Sequence, residues 1–219
     1  MADVDWSSLS TSYGDATGVP GFLRALYDPD ETVRDAALSD LWCLCHQETV
    51  YDGSAAAVPL LVRAAHDAAL SPAQRHQLLG LVVCIGRGED TCWEGYTPWD
   101  VVVACADAVA AELPGIVSWA KRGSAEARRW SVVLAAYFPD EFRRTGTDVT
   151  SLLSDPDAPI ALLAKSLVDG EVPKAEAIRA AAADDEDTLD WLDTGMAGMS
   201  DARKARQVVL DLIEKQAVA

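Results

Sequence analysis

The side chains with the most chemical potential crowd one short stretch: Trp42, Cys43, Cys45, His46 and Tyr51. A histidine among thiols and large aromatics offers a general acid or base, a metal ligand, or part of a recognition patch. The metal reading is weak. On a helix Cys43 and Cys45 point about 200° apart, and no second cluster completes a tetrahedral site, so neither a metal nor a cofactor is expected. Further along stand Trp130 and Tyr137, and a Gly-containing segment, 88–100, carries Trp93, Tyr96 and Trp99. Arg34, Arg75 and Arg128 flank the aromatics, and Trp, Tyr and Arg dominate binding hot spots. The candidate partner or ligand surface is therefore Trp42, His46, Tyr51, Trp93, Tyr96, Trp99, Trp130 and Tyr137. Nucleophile elbows, phosphate loops and metal signatures are missing, which leaves His46 as a weak catalytic candidate. The competing reading packs the tryptophans between structural units and has the arginines bond turn acids such as Asp28 or Asp30.

The elements that must position these residues read as helical hairpins. Phe22, Leu23 and Leu26 form the stripe of a short helix that Thr17 can cap, with Pro20 in its first turn. After the turn Asp28-Pro29-Asp30, a second helix carries Val33, Ala37, Leu41 and Leu44 and ends near Cys45-His46-Gln47. Val58-Pro59-Leu60-Leu61 repeats Val19-Pro20-Gly21-Phe22 at an offset of 39 residues. Ser71-Pro72 then opens a helix that Gly86-Arg87-Gly88 closes. A third unit holds Leu113-Pro114-Gly115 and a helix beginning at Gly123-Ser124. Arg34, Arg75 and Arg128 lie 14, 16 and 14 residues after Pro20, Pro59 and Pro114, as copies of one unit require. Residues 101–121 read as a long apolar helix bent or divided at Pro114. A fourth unit has Asp155-Pro156-Asp157 as cap and first-turn proline. Two helices, about 174–183 and from Ser200 onward, flank an acidic segment and close the array. No segment alternates with period two for long enough to propose a sheet, so the chain reads as all-α.

Composition narrows the class. With 35 acidic and 18 basic residues the formal charge is −17, which disfavours nucleic acid and anionic membrane surfaces and favours a basic protein partner. The five cysteines lack a disulfide framework and read as small buried residues in a reduced, cytoplasmic protein. Met1-Ala2-Asp3-Val4-Asp5 lacks the positive charge of a signal peptide, and no apolar stretch reads as a span of roughly 20 residues.

Paired helices with Pro in the first, Asp-Pro-Asp in the turn and Val33-Arg34 early in the second resemble HEAT-like repeats. More narrowly, His46-Gln47-Glu48-Thr49-Val50-Tyr51 with Ala56-Ala57-Val58-Pro59-Leu60-Leu61 resembles a bacterial, often actinobacterial, group of HEAT-repeat proteins without an assigned general function. The resemblance implies a right-handed α-solenoid of about four to five hairpins. It would form one domain over 1–219: a cap at 1–16, repeats over 17–171 with the insertion at 88–100, and a helical cap over 172–219. Second helices would line a concave face carrying Trp42, His46, Trp130 and Tyr137, the usual binding surface of such arrays. The expected function is a non-enzymatic scaffold that binds a partner protein, basic or with a basic patch, through its concave face and the 88–100 loop, with immunity or regulation as one use. Asp184-Asp185-Glu186-Asp187 reads first as a solvated cap or loop, and in a sharper reading as a docking patch for a basic partner. The alternative is an enzyme or small-molecule binder around Trp42, His46, Tyr51 and Trp130.

Overall fold

The computed structural model describes residues 4–88, 97–195 and 198–218. It is mostly helical, with eleven α-helices and two miniature β-hairpins among the described residues. Contacts divide the chain into two compact units, residues 1–112 and 113–219.

In the first unit, a hairpin of β1 (Ser10–Thr11) and β2 (Gly14–Asp15) precedes α1 (Val19–Ala25) and α2 (Glu31–Leu41). Pro20 sits in the first turn of α1, where its missing N–H costs nothing. The expected Thr17 cap does not form. Asp15 accepts from both the amide and the hydroxyl of Thr17, and Gly18 occupies the cap position without a side-chain bond. Asp30 caps α2 by accepting from the Thr32 amide at 2.9 Å. This helix ends at Leu41, earlier than expected, because Trp42–Leu44 tighten into a 3₁₀ turn and Cys45 is extended. There β3 (Cys45–His46) pairs with β4 (Thr49–Val50), an element too short to show as alternation.

Helix α3 (Asp52–Asp67) starts immediately afterwards, so Pro59 lies in its interior and not in its first turn as the repeat offset suggests. Ser71 and Gln74 form a reciprocal capping box on α4 (Pro72–Arg87). Gly88, in the left-handed region at φ 46°, ends that helix. Helices α1 and α2 pack together, as do α3 and α4, and α1 lies on α3 while α2 lies on α4. Two helical hairpins are thus stacked first helix on first and second on second.

Helix α5 (Trp99–Lys121) runs unbroken through Pro114. It is long and apolar enough to cross a membrane, contrary to expectation, because Val and Ala dominate it before the proline and Ile116, Val117 and Trp119 extend the apolar run beyond it. Core helices of soluble proteins pass the same test, and Cys105, Val109, Leu113, Ile116, Val117 and Ala120 form a buried stripe along it.

The second unit is built on α6 (Ala125–Tyr137), α7 (Pro139–Arg144), α8 (Pro159–Asp169), α9 (Ala175–Ala181), α10 (Glu186–Thr194) and α11 (Asp201–Val218). Ser124 caps α6 as expected. Asp155, by contrast, bonds the Asp157 amide in a turn ahead of α8, whose cap is Ala158. The acidic segment is itself the start of α10, because Asp185 accepts from the Thr188 amide and acids suit a helix N-terminus. Helix α11 packs Val208, Val209 and Ile213 into a core shared with α6 and α8.

Candidate functional site

The β3–β4 hairpin carries the strongest local departures from ordinary structure. Its two-residue turn places Gln47 at φ 50° and Glu48 at φ 66°, the pattern of a type I′ turn built without the usual Asn-Gly. Each left-handed non-glycine residue costs roughly 1–2 kcal/mol, so surrounding contacts must hold the turn. One contact is explicit. The Glu48 carboxylate pairs with the nearly buried guanidinium of Arg87, in the last turn of α4. Gly88, just beyond, approaches Val50, and the Thr97 hydroxyl donates to the Val50 carbonyl at 3.0 Å.

Behind the turn the hairpin is lined with sulfur. Cys45 is buried, and its thiol hydrogen-bonds the half-buried Cys84 of α4. That bond and burial push the Cys45 thiol far up, so it keeps its proton. Burial likewise raises Cys43, and pushes Cys105 up to about 12, where its thiol meets the Tyr51 carbonyl. Thr49 Oγ1 is buried without a hydrogen-bond partner among the described residues. Tyr51 holds the start of α3 by donating its amide to Ser54 Oγ at 2.9 Å.

In front of the turn lies an aromatic surface. His46 is exposed, and the ring of Tyr13 stands 6.4 Å from it, centre to centre, at 49°. Tyr13 is 81% exposed at the tip of the first hairpin, which docks through the Ser12 amide on the Cys43 carbonyl. Trp42 is 39% exposed at the end of α2. Trp42, His46 and Tyr51 are thus close along one segment, with Tyr51 half-buried. Trp99 is 77% exposed at the start of α5. Trp130 is 1% exposed and belongs to the core of the second unit, so its ring is not on an accessible surface. Tyr137, at the end of α6, is half-buried. Trp93 and Tyr96 lie outside the described residues.

The arginines at the shared offset serve structure. Arg34 is buried and donates from Nη1 to the carbonyls of Asp28 (2.8 Å) and Pro29 (3.0 Å), and from Nε to Gln74 Oε1 (3.2 Å). Arg75 donates to the Ala65 carbonyl at 2.8 Å, in the last turn of α3. Both satisfy carbonyls at a helix end or turn, and Arg34 does so where the turn carboxylates of Asp28 or Asp30 were expected. Arg128 is exposed.

The second unit contains a cleft of about 830 Å³ between α8, α10 and α11. Ile160 and Leu212 supply apolar wall, and Asp184, Asp185, Glu186 and Asp187 supply charge. Asp185 is engaged by Lys215, whose ammonium holds its carboxyl below the usual range. Asp184, Glu186 and Asp187 are exposed. No group of three or more metal-ligating side chains forms among the described residues.

Sequence reasoning missed Tyr13 as the neighbour of His46, and missed the Cys45–Cys84 and Glu48–Arg87 pairings. Both pairings join residues 39 apart, the same offset that relates Pro59 to Pro20. That coincidence is the one signal that could have found them. No family model, curated protein or solved structure matches the chain.

Proposed function

We propose that this chain is a non-enzymatic helical-repeat protein of HEAT-like, right-handed solenoid type that binds a basic protein partner. The stacked pairs α1–α2 and α3–α4, with Arg34 and Arg75 each in the first turns of its hairpin's second helix and bonded to backbone carbonyls, support the repeat reading. The acid-rimmed, apolar-walled cleft of the second unit carries the binding reading. Its shape suits a lysine or arginine side chain, whose aliphatic stem packs on Ile160 and Leu212 while its charge meets Asp184, Glu186 and Asp187. The charge of −17 speeds the approach of such a partner. The exposed Trp42, His46 and Tyr13 surface of the first unit is a further contact region. Regulation or neutralisation of a basic protein is the biological use that fits. A catalytic pocket around Trp42, His46, Tyr51 and Trp130 is the weaker reading, since Trp130 is buried.

The test is affinity capture from the native host at low salt, with wild type beside the triple variant Asp184→Asn, Glu186→Gln, Asp187→Asn. A stoichiometric basic protein held by the wild type, released by salt and lost by the variant is expected. Equal retention by the variant, or retention of an acidic partner, overturns the proposal. Trp42→Ala with His46→Ala reports on the first unit separately.

A further inference from the structure

The chemistry at the back of the β3–β4 hairpin is independent of any partner. Cys45 and Cys84 meet side chain to side chain, one on β3 and the other on α4. Their neighbours lock the encounter. Glu48 lies three residues after Cys45 and Arg87 three residues after Cys84, and these two form an ion pair. On a helix, positions three apart share a face, so the pair clamps the hairpin on the face of α4 that bears Cys84. Gly88, next to Arg87, also lies close to Val50 of β4. The two thiols also differ in access: Cys45 is buried, whereas Cys84 is half-buried.

We propose that Cys45 and Cys84 are a redox pair that closes to a disulfide when hydrogen peroxide oxidises Cys84. The Cys84 sulfur, as thiolate, attacks one peroxide oxygen and breaks the O–O bond. The departing hydroxide takes up the proton lost from Cys84, leaving water and a sulfenic acid. The Cys45 sulfur then attacks the Cys84 sulfur, and its proton leaves with the sulfenic hydroxyl as a second water. Each sulfur has given up one electron, and the peroxide has accepted two. Arg87 is the cation nearest this junction, held there by Glu48. A dithiol reverses the step. Closure ties the hairpin that presents His46 covalently to α4, adding a fixed link beside the breakable Glu48–Arg87 ion pair.

The experiment uses the full chain, folded and reduced, treated with hydrogen peroxide, denatured in an alkylating agent and digested with trypsin. The expected product joins the peptide 35–63 to the peptide 76–87 through Cys45, with the intact mass lowered by two hydrogens. Contact between the sulfurs should make this link outrun any other thiol pair by about tenfold or more. It should survive Cys43→Ser and vanish in Cys45→Ser and in Cys84→Ser. If either of those variants fails to fold, fragmentation of the wild-type cross-linked peptide, which separates Cys43 from Cys45, still decides. A link from Cys84 to Cys92 or Cys43, a stable Cys84 sulfinate, or alkylation of Cys45 and Cys84 after oxidation overturns the proposal.

Discussion

Replacing Arg34 by Met isolates what its guanidinium does, because Met retains an aliphatic stem of similar reach. Three hydrogen bonds disappear: those to the carbonyls of Asp28 and Pro29, and that to Gln74. A bond involving a charged group contributes about 1.5–3 kcal/mol when its partner stays buried. Two reductions apply here. Pro29 is exposed and Asp28 half-buried, so water re-hydrates their carbonyls, and Gln74 Oε1 keeps the Ser71 amide at 3.0 Å. The expected loss is therefore about 2–3 kcal/mol, well below three full bonds. Arg34→Lys supplies one point charge where a fork is needed and should lose about 1–2 kcal/mol. Arg128→Met, on an exposed side chain, should stay within about 0.5 kcal/mol. Urea unfolding followed by circular dichroism, with hydrogen exchange of the α2 and α4 amides, measures all three variants. Exchange assigns the loss to the first unit. Arg34→Met within about 0.5 kcal/mol of wild type would refute the structural role. So would a folded variant whose only defect is loss of partner.

Two further outcomes follow from packing and charge. A Cβ on Gly86 would lie 2.9 Å from Val109 Cβ and Cγ1, so Gly86→Ala should cost about 1–3 kcal/mol in thermal unfolding. Adding Val109→Ala should restore part of that loss, and simple additivity would show that the two helices do not meet there. In the second unit, the folded Asp185 pKa lies below its ordinary 3.8 because of Lys215 and the Thr188 amide. Its stabilisation is thus complete above that ordinary value and fades as pH falls toward the folded one. Lys215, raised above 10.5 chiefly by Asp185, stabilises fully below that value and loses its contribution as pH rises through the folded one. Lys215→Met should move the Asp185 carboxyl upward when titrated by NMR. An unchanged titration would dissolve the pair.

Much of the helical layout was legible because its signals are local. The Ser71-Pro72 start of α4, the Gly88 stop, the Ser124 cap and the apolar face of α11 each depend on hydrogen bonds or spacing within a few residues. Interior Pro59 and the early end of α2 were misplaced because two-residue strands carry no readable period. Of the candidate surface, Trp42, His46 and Trp99 are exposed, while Trp130 looks no different in sequence yet is buried. An aromatic on an amphipathic helix serves core or surface according to which neighbours arrive.

The sequence by itself determined an acidic, helical chain with arginines repeated at near-constant offset, since charge and local capping are sums over neighbours in the chain. Tertiary structure alone decided that Cys45 meets Cys84, that Tyr13 meets His46, and that α8, α10 and α11 enclose an acidic cleft. Each of these joins side chains distant in sequence, and packing, not propensity, selects such pairs.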